Sequence, residues 1–124
     1  MKHPPALLDT GPLVSFLAPG LTHHSWAVEQ WKQLQPPLLT CEAVLTEAAF
    51  LLKREGKDCD AIFALLERGV IEVRIGLQEQ QNNLRSLLHR HRDRPMSLAD
   101  ACLVRQSELN QDSKVFTLDT DFRI

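Results

Sequence analysis

The sequence predicts an α/β protein built on a parallel sheet covered by helices on both faces. Three observations carry that prediction. Short apolar runs alternate with helical segments, which is the pattern of βα units. The runs are solidly apolar, as in strands buried on both sides of a parallel sheet. Breakers at Pro19-Gly20, Pro36-Pro37, Gly56, Gly69 and Pro95 separate the elements.

Taken in order, Ala6-Leu7-Leu8 is a strand closed by the turn residues Asp9-Thr10-Gly11. Pro12 suits the first position of a helix running to about Ala18. A second helix covers His23 to Gln35, with Ala27, Trp31 and Leu34 on one face. Leu38-Leu39 is the next strand, and Thr40 can cap a third helix whose inward stripe is Val44, Ala48, Leu51 and Leu52. Gly56 ends it. A helix over roughly Asp58–Arg68 precedes the strand Val70–Val73. Helices over about Leu77–Arg92 and Leu98–Gln111 follow, and Lys114–Leu118 is the last clear strand.

The 124 residues fit one domain. The longest apolar run, Ala48–Leu52, is far short of the ~20 residues that span a bilayer, and the N-terminus has no signal-peptide core. A cytoplasmic protein is therefore expected. Cys41, Cys59 and Cys102 are odd in number and lack a C-x-x-C pattern, so they read as small apolar residues in a reducing compartment. The net charge of −2 conceals a partition. If Asp9, Glu47, Asp100, Asp119 and Asp121 gather in one place, 11 of the 16 acids remain to face 14 Lys and Arg, leaving +3 elsewhere. Polyanion binding is compatible with that balance.

Four acids stand where burial alone does not account for them. Asp9 closes the first strand and Asp119 follows the last, and ligands of open parallel sheets bind at the carboxyl ends of strands. Each also has a simpler reading as a turn residue, as does Asp121. Glu47 falls between Phe50 and Leu51 on a helical wheel, at the margin of the apolar stripe, where partial burial is expected. Asp100 completes Ser97-Leu98-Ala99-Asp100, which matches a helix capping box. Carboxylates about 4 Å apart repel by roughly 4 kcal/mol per pair in a protein-like medium, so convergence demands a cation or raised pKa values. Hard oxygen ligands suit Mg²⁺ or Mn²⁺. A water acidified by such an ion needs no nucleophilic side chain, and no G-x-S-x-G or Cys–His motif is present.

Arg85, His89, Arg90, His91, Arg92 and Arg94 form the densest basic stretch, broken only by Asp93 and leading into the loop before Asp100. It reads either as a phosphate-binding surface or as a solvated helix face. His23-His24 read as surface residues, Trp31 as core, and Trp26 as lying off the core stripe, near a partner surface.

At Leu7–Leu13, Val44–Ala49, Pro95–Ala101 and Thr117–Phe122 the sequence resembles the PIN-domain family, including the VapC-type toxins. The four segments occur in family order and span nearly the whole chain. The resemblance implies a three-layer α/β/α sandwich with a short central parallel sheet, a single PIN-like domain over residues 1–124, and metal-dependent endoribonuclease activity. It makes Asp9, Glu47, Asp100 and Asp119 the catalytic and metal-binding acids, with Asp121 a further ligand and Mg²⁺ or Mn²⁺ the cofactor. Thr10 and Thr117 match hydroxyl positions that support the acids or the attacking water. Thr117 joins the catalytic set, and Thr10 joins Arg90, Arg92 and Arg94 as substrate-binding candidates. RNA, a small antitoxin protein and a second copy of the chain are the implied partners. Family members usually carry a further strand past the position of Ile124, so a C-terminal truncation is expected. Two other readings stand beside this one: a noncatalytic α/β module that binds RNA or protein, and a phosphatase using Asp9 as nucleophile. The second lacks the acid two residues after the nucleophile that such enzymes often use.

Overall fold

In the computed structural model, which describes residues 4–118, the four strands are three residues each and mostly buried. They are β1 (Ala6–Leu8), β2 (Leu38–Thr40), β3 (Ile71–Val73) and β4 (Lys114–Phe116). All pairings are parallel, in the order β3-β2-β1-β4. The helices are α1 (Thr10–Leu17), α2 (His24–Lys32), α3 (Glu42–Arg54), α4 (Asp60–Glu67), α5 (Gln81–Arg90) and α6 (Leu98–Leu109).

Successive residues of a strand point to opposite faces, and the two faces carry separate cores. Ala6, Leu8, Leu38, Ile71 and Phe116 pack with residues of α1 to α4, including Leu13, Trp31, Leu52 and Ile62. Leu7 and Leu39 pack against α5, α6 and Val44 near the start of α3. Helices on both faces make the predicted three-layer α/β/α sandwich, and they explain why the central strands β1 and β2 are buried at every position. Trp31 lies in the first core, stacked on Phe16 with ring centroids 4.0 Å apart. No helix among the described residues is long and apolar enough to cross a membrane.

Several boundaries differ from expectation for identifiable reasons. The first helix starts at Thr10, not Pro12, because Asp9 caps it by accepting a bond from the Thr10 amide. Thr40 is not the cap of α3. It belongs to β2, where its hydroxyl donates to the Leu8 carbonyl, and Cys41 takes the cap position. The fifth helix is shorter than Leu77–Arg92, because residues 77–80 form a turn before it. Within α3 the inward stripe is Val44, Ala48 and Leu52, with Leu51 half-buried and Phe50 exposed. Glu47 is exposed, so the partial burial expected at its wheel position is not met. Gly56 and Gly69 close α3 and α4 with positive φ angles of 74° and 71°, a conformation that glycine adopts without strain.

Leu39, fully buried on a central strand, is a direct check of the second core. Leu39→Ala is expected to cost about 2–5 kcal/mol, read as a lower urea midpoint with an unchanged slope.

Candidate active site

The chain lays β1 at the centre of the sheet, adds β2 and β3 on one side, and returns to add β4 on the other. Strand order therefore reverses between β1 and β4. In open parallel sheets a crevice forms at that point, beyond the carboxyl ends of the strands. Leu8 lies opposite Phe116 in the register, so the next residues, Asp9 and Thr117, emerge side by side at the crevice.

Asp9 is held at several points. Its amide donates to the Phe116 carbonyl at 3.0 Å. Its Oδ1 accepts from the Thr10 amide at 2.8 Å, and its Oδ2 accepts from the Thr117 hydroxyl at 2.6 Å. Thr10 is buried, and its hydroxyl donates to Glu47 Oε2 at 3.2 Å. One threonine thus bonds both acids, through its amide to Asp9 and through its hydroxyl to Glu47. That link joins α1 to α3, which pack together.

Asp100 sits in the first turn of α6, a helix packed against β1 and α3. Its Oδ2 accepts from the Ser97 amide at 3.0 Å, while the Ser97 hydroxyl accepts from the Asp100 amide at 3.0 Å. The capping box read from the sequence is present. It engages one oxygen of a group with about four acceptor sites, so capping and ligation are chemically compatible. The structure brings Asp9, Glu47, Thr10 and Thr117 into one bonded set and places Asp100 on a neighbouring helix. No group of three or more His, Cys, Asp or Glu that could hold a metal ion occurs among the described residues. Asp119 and Asp121 lie outside those residues.

Two buried polar residues have no site reading in the sequence, where Thr40 is expected only as a helix cap. Thr40 is fully buried, and its hydroxyl donates to the Leu8 carbonyl at 3.0 Å, the peptide that leads into Asp9. Gln106, also buried, donates from Nε2 to the Thr40 carbonyl at 3.0 Å. Its Oε1 is buried without a hydrogen-bond partner among the described residues. Gln106 and Thr40 therefore tie α6 to β2 and β2 to β1 directly beneath the acids. The available signal was Gln106 itself, four residues after Cys102 and three after Leu103 on the apolar face of α6.

The basic stretch divides by face. Arg85, His89 and Arg92 line a groove of about 1120 Å³ with Leu77, Leu88 and Leu98. Arg90 and Arg94, named with Arg92 as substrate-binding candidates, are exposed and do not line it. Glu42 and Glu79 also line the groove. His24 Nδ1 bonds the Ser15 carbonyl at 2.8 Å, and His23 is exposed. Trp26 is partly exposed, tilted against Phe116 at 5.5 Å. Cys41 and Cys102 are buried free thiols. Interaction with the Cys102 thiol, together with burial, pushes the Cys41 thiol well above the ordinary thiol range.

A doubly covered parallel sheet with hydroxyl-clamped carboxylates at its switch point defines an α/β protein with an acidic site at the strand ends. The PIN-domain profile matches residues 6–124, and the chain belongs to the PIN-domain family. Four solved chains match in structure. Among them is the crystal structure of Mycobacterium tuberculosis VapC20, described as a sarcin-ricin loop cleaving toxin. It shares 24% identity and a TM-score of 0.73 over 92% of this chain and 91% of that one. A search of curated proteins found no match.

Thr40 is a positioning residue in this arrangement. Thr40→Val leaves the Leu8 carbonyl without its side-chain donor and should cost about 1–3 kcal/mol in chemical denaturation. Thr40→Ser keeps the hydroxyl and should recover most of that loss.

Proposed function

We propose that this PIN-domain chain is a divalent-ion-dependent endoribonuclease, acting as the toxin of a toxin–antitoxin pair. The observation that carries the proposal is the Thr10 link between Asp9 and Glu47, beside a Thr117-clamped Asp9 at the switch point. Membership of the PIN-domain family, whose members include ribonucleases, supports it, and VapC20 is described as a sarcin-ricin loop cleaving toxin.

The donor set fits a hard cation. Mg²⁺ is commonly bound through one or two carboxylates while it keeps several waters, and Asp9 and Glu47 supply two linked carboxylates. Among the described residues no third acid is grouped with these two; Asp100 is proposed to join them only when the ion is bound, through the oxygen not engaged by Ser97, with Asp119 and Asp121 as further ligands. A bound Mg²⁺ or Mn²⁺ would acidify water and stabilise charge on phosphate oxygens.

The chain's own residues do the positioning. Thr117 and the Thr10 amide fix the Asp9 carboxylate in orientation, so little reorganisation accompanies substrate binding. Thr10 restrains Glu47, which is otherwise exposed on α3. The bond with Ser97 sets the rotamer of Asp100 at the start of α6. The acids orient an attacking water for in-line displacement at phosphorus, releasing a 5′-phosphate and a 3′-hydroxyl. Arg92 contacts the substrate backbone from the groove, with Arg90 and Arg94 adding longer-range attraction. A small antitoxin and a second copy of the chain are the proposed protein partners. Phe50 on α3 and Phe63 on α4, 62% and 61% exposed, offer apolar surface for them.

The test is cleavage of a mixed RNA pool with Mg²⁺ or Mn²⁺. Wild-type protein should cleave and should stop when EDTA is added. Asp9→Asn, Glu47→Gln and Asp100→Asn should each lose about 100-fold or more in rate, and Thr117→Val about 10-fold. Metal-independent cleavage that survives Asp100→Asn would reject the site.

A further inference from the structure

We propose that Cys41 and Cys102 are a modification site, joined by hydrogen peroxide into a disulfide that clamps α3 to α6 beneath the acids and slows cleavage. The effect on cleavage rests on the nuclease reading above; the bond itself does not. The first support is the backbone. Cys41 directly follows β2 and is still extended, at φ −141° and ψ 162°, so its side chain shares the face of Leu39. That face packs against α6, and both cysteines belong to its core. Gln106 Nε2 donates to the Thr40 carbonyl at 3.0 Å, which ties α6 to the peptide joining Thr40 to Cys41. Cys102 lies four residues before Gln106, one turn away on the same face of the helix.

The second support is the thiols themselves. Those of Cys41 and Cys102 interact, and both are free. Cys59 stands apart from them. It is half-buried at the head of α4 and packs against the core on the other face of the sheet. An odd count without C-x-x-C spacing thus conceals one pair, assembled from a strand end and a helix. Where thiols are otherwise kept reduced, disulfides are mostly transient and redox-sensing.

The reaction balances with peroxide as the two-electron oxidant. The sulfur of Cys102, 6% exposed against 2% for Cys41, attacks one peroxide oxygen. The O–O bond breaks, a sulfenic acid forms, and the departing hydroxide leaves as water with the thiol proton. The Cys41 sulfur then attacks the sulfenyl sulfur. The S–S bond forms as the S–O bond breaks, and the second hydroxide leaves as water with the Cys41 proton. Polar species this deep need an acceptor. Gln106 Oε1, buried without a partner among the described residues, stands one turn from Cys102. A disulfide sets its sulfurs about 2.05 Å apart, well inside the contact distance of free thiols. The elements that must close this gap carry the acids. Asp100 lies two residues before Cys102, and Cys41 heads α3, which bears Glu47. Displacement of a reacting geometry by about 1 Å costs roughly 100-fold in rate.

The experiment treats the whole chain with hydrogen peroxide, then unfolds it, alkylates the free thiols and maps the peptides by mass spectrometry. A peptide linking Cys41 to Cys102 should appear, with Cys59 still alkylated, and dithiothreitol should restore all three thiols. The bridged protein should cleave RNA about 100-fold more slowly, and Cys41→Ala should keep its rate through the same treatment. Recovery of the wild-type rate in dithiothreitol makes the same point without a substitution. Three alkylated thiols after peroxide, or a bridge to Cys59, would overturn the pairing. A bridge that leaves the rate unchanged would overturn its hold on the acids. A bridge in a chain that cleaves no RNA in either redox state would instead overturn the nuclease reading alone.

Discussion

The parallel pairing of β1 with β4 sets residues 108 apart in sequence within one short hydrogen bond, from the Thr117 hydroxyl to Asp9. Every other feature of the rim is referred to that contact. The pairing fixes Leu8 opposite Phe116, which aims the next residue of each strand into the crevice. The same carboxylate caps α1, so the helix direction and the acid's orientation are coupled. Thr10, the first residue of that helix, then reaches across to Glu47 on α3. A shift of one residue in the β1–β4 register would reverse the faces of the apolar side chains. It would also separate the acid from its clamp, so the two cores protect the site geometry.

Beneath the acids lies a second layer of support. Thr40 and Gln106 each donate a side-chain bond to a strand carbonyl, tying β1, β2 and α6 together where the backbone leaves the sheet. Buried polar side chains of this kind are costly unless bonded, and Gln106 keeps one oxygen with no partner among the described residues. A side chain accepting that cost next to the acids is consistent with a role in holding the rim rigid. Gly11 adds close packing on the opposite side, since a Cβ there would lie 3.0 Å from Leu118, the residue before Asp119.

Much of this was legible in the sequence because it is written locally. The apolar run before Asp9 marked the first strand and its carboxyl-end acid, and Ser97-x-x-Asp100 marked the cap of α6; the last run reads as a strand through Leu118, whereas β4 ends at Phe116 and puts Thr117 at its carboxyl end. The order of four short segments pointed to the PIN-domain family, which the profile match over residues 6–124 establishes. What was hidden depends on pairings between distant residues. Thr40 carries an acceptable capping side chain for α3, and only its neighbour Leu8 across the sheet claims that hydroxyl. Gln106 looks like an ordinary helical polar residue until its partner 66 positions away is known. The wheel put Glu47 at the edge of the apolar stripe, but α3 turns that edge to solvent, leaving Phe50 exposed as well. The basic stretch could be found by composition, yet its division into groove-lining Arg85, His89 and Arg92 and outward Arg90 and Arg94 required the helix to be seen in place.

The central claim is that the hydroxyl-clamped carboxylates of the rim act together on one divalent ion. Calorimetric titration of the protein with Mn²⁺ in the absence of RNA addresses it most directly, because it reads the ion without depending on finding the right substrate. The account predicts saturable binding that is lost in Asp9→Asn and weakened in Thr117→Val, with both variants still folded by circular dichroism. Mn²⁺ binding of unchanged affinity in folded Asp9→Asn, or none in the wild-type chain, would contradict it.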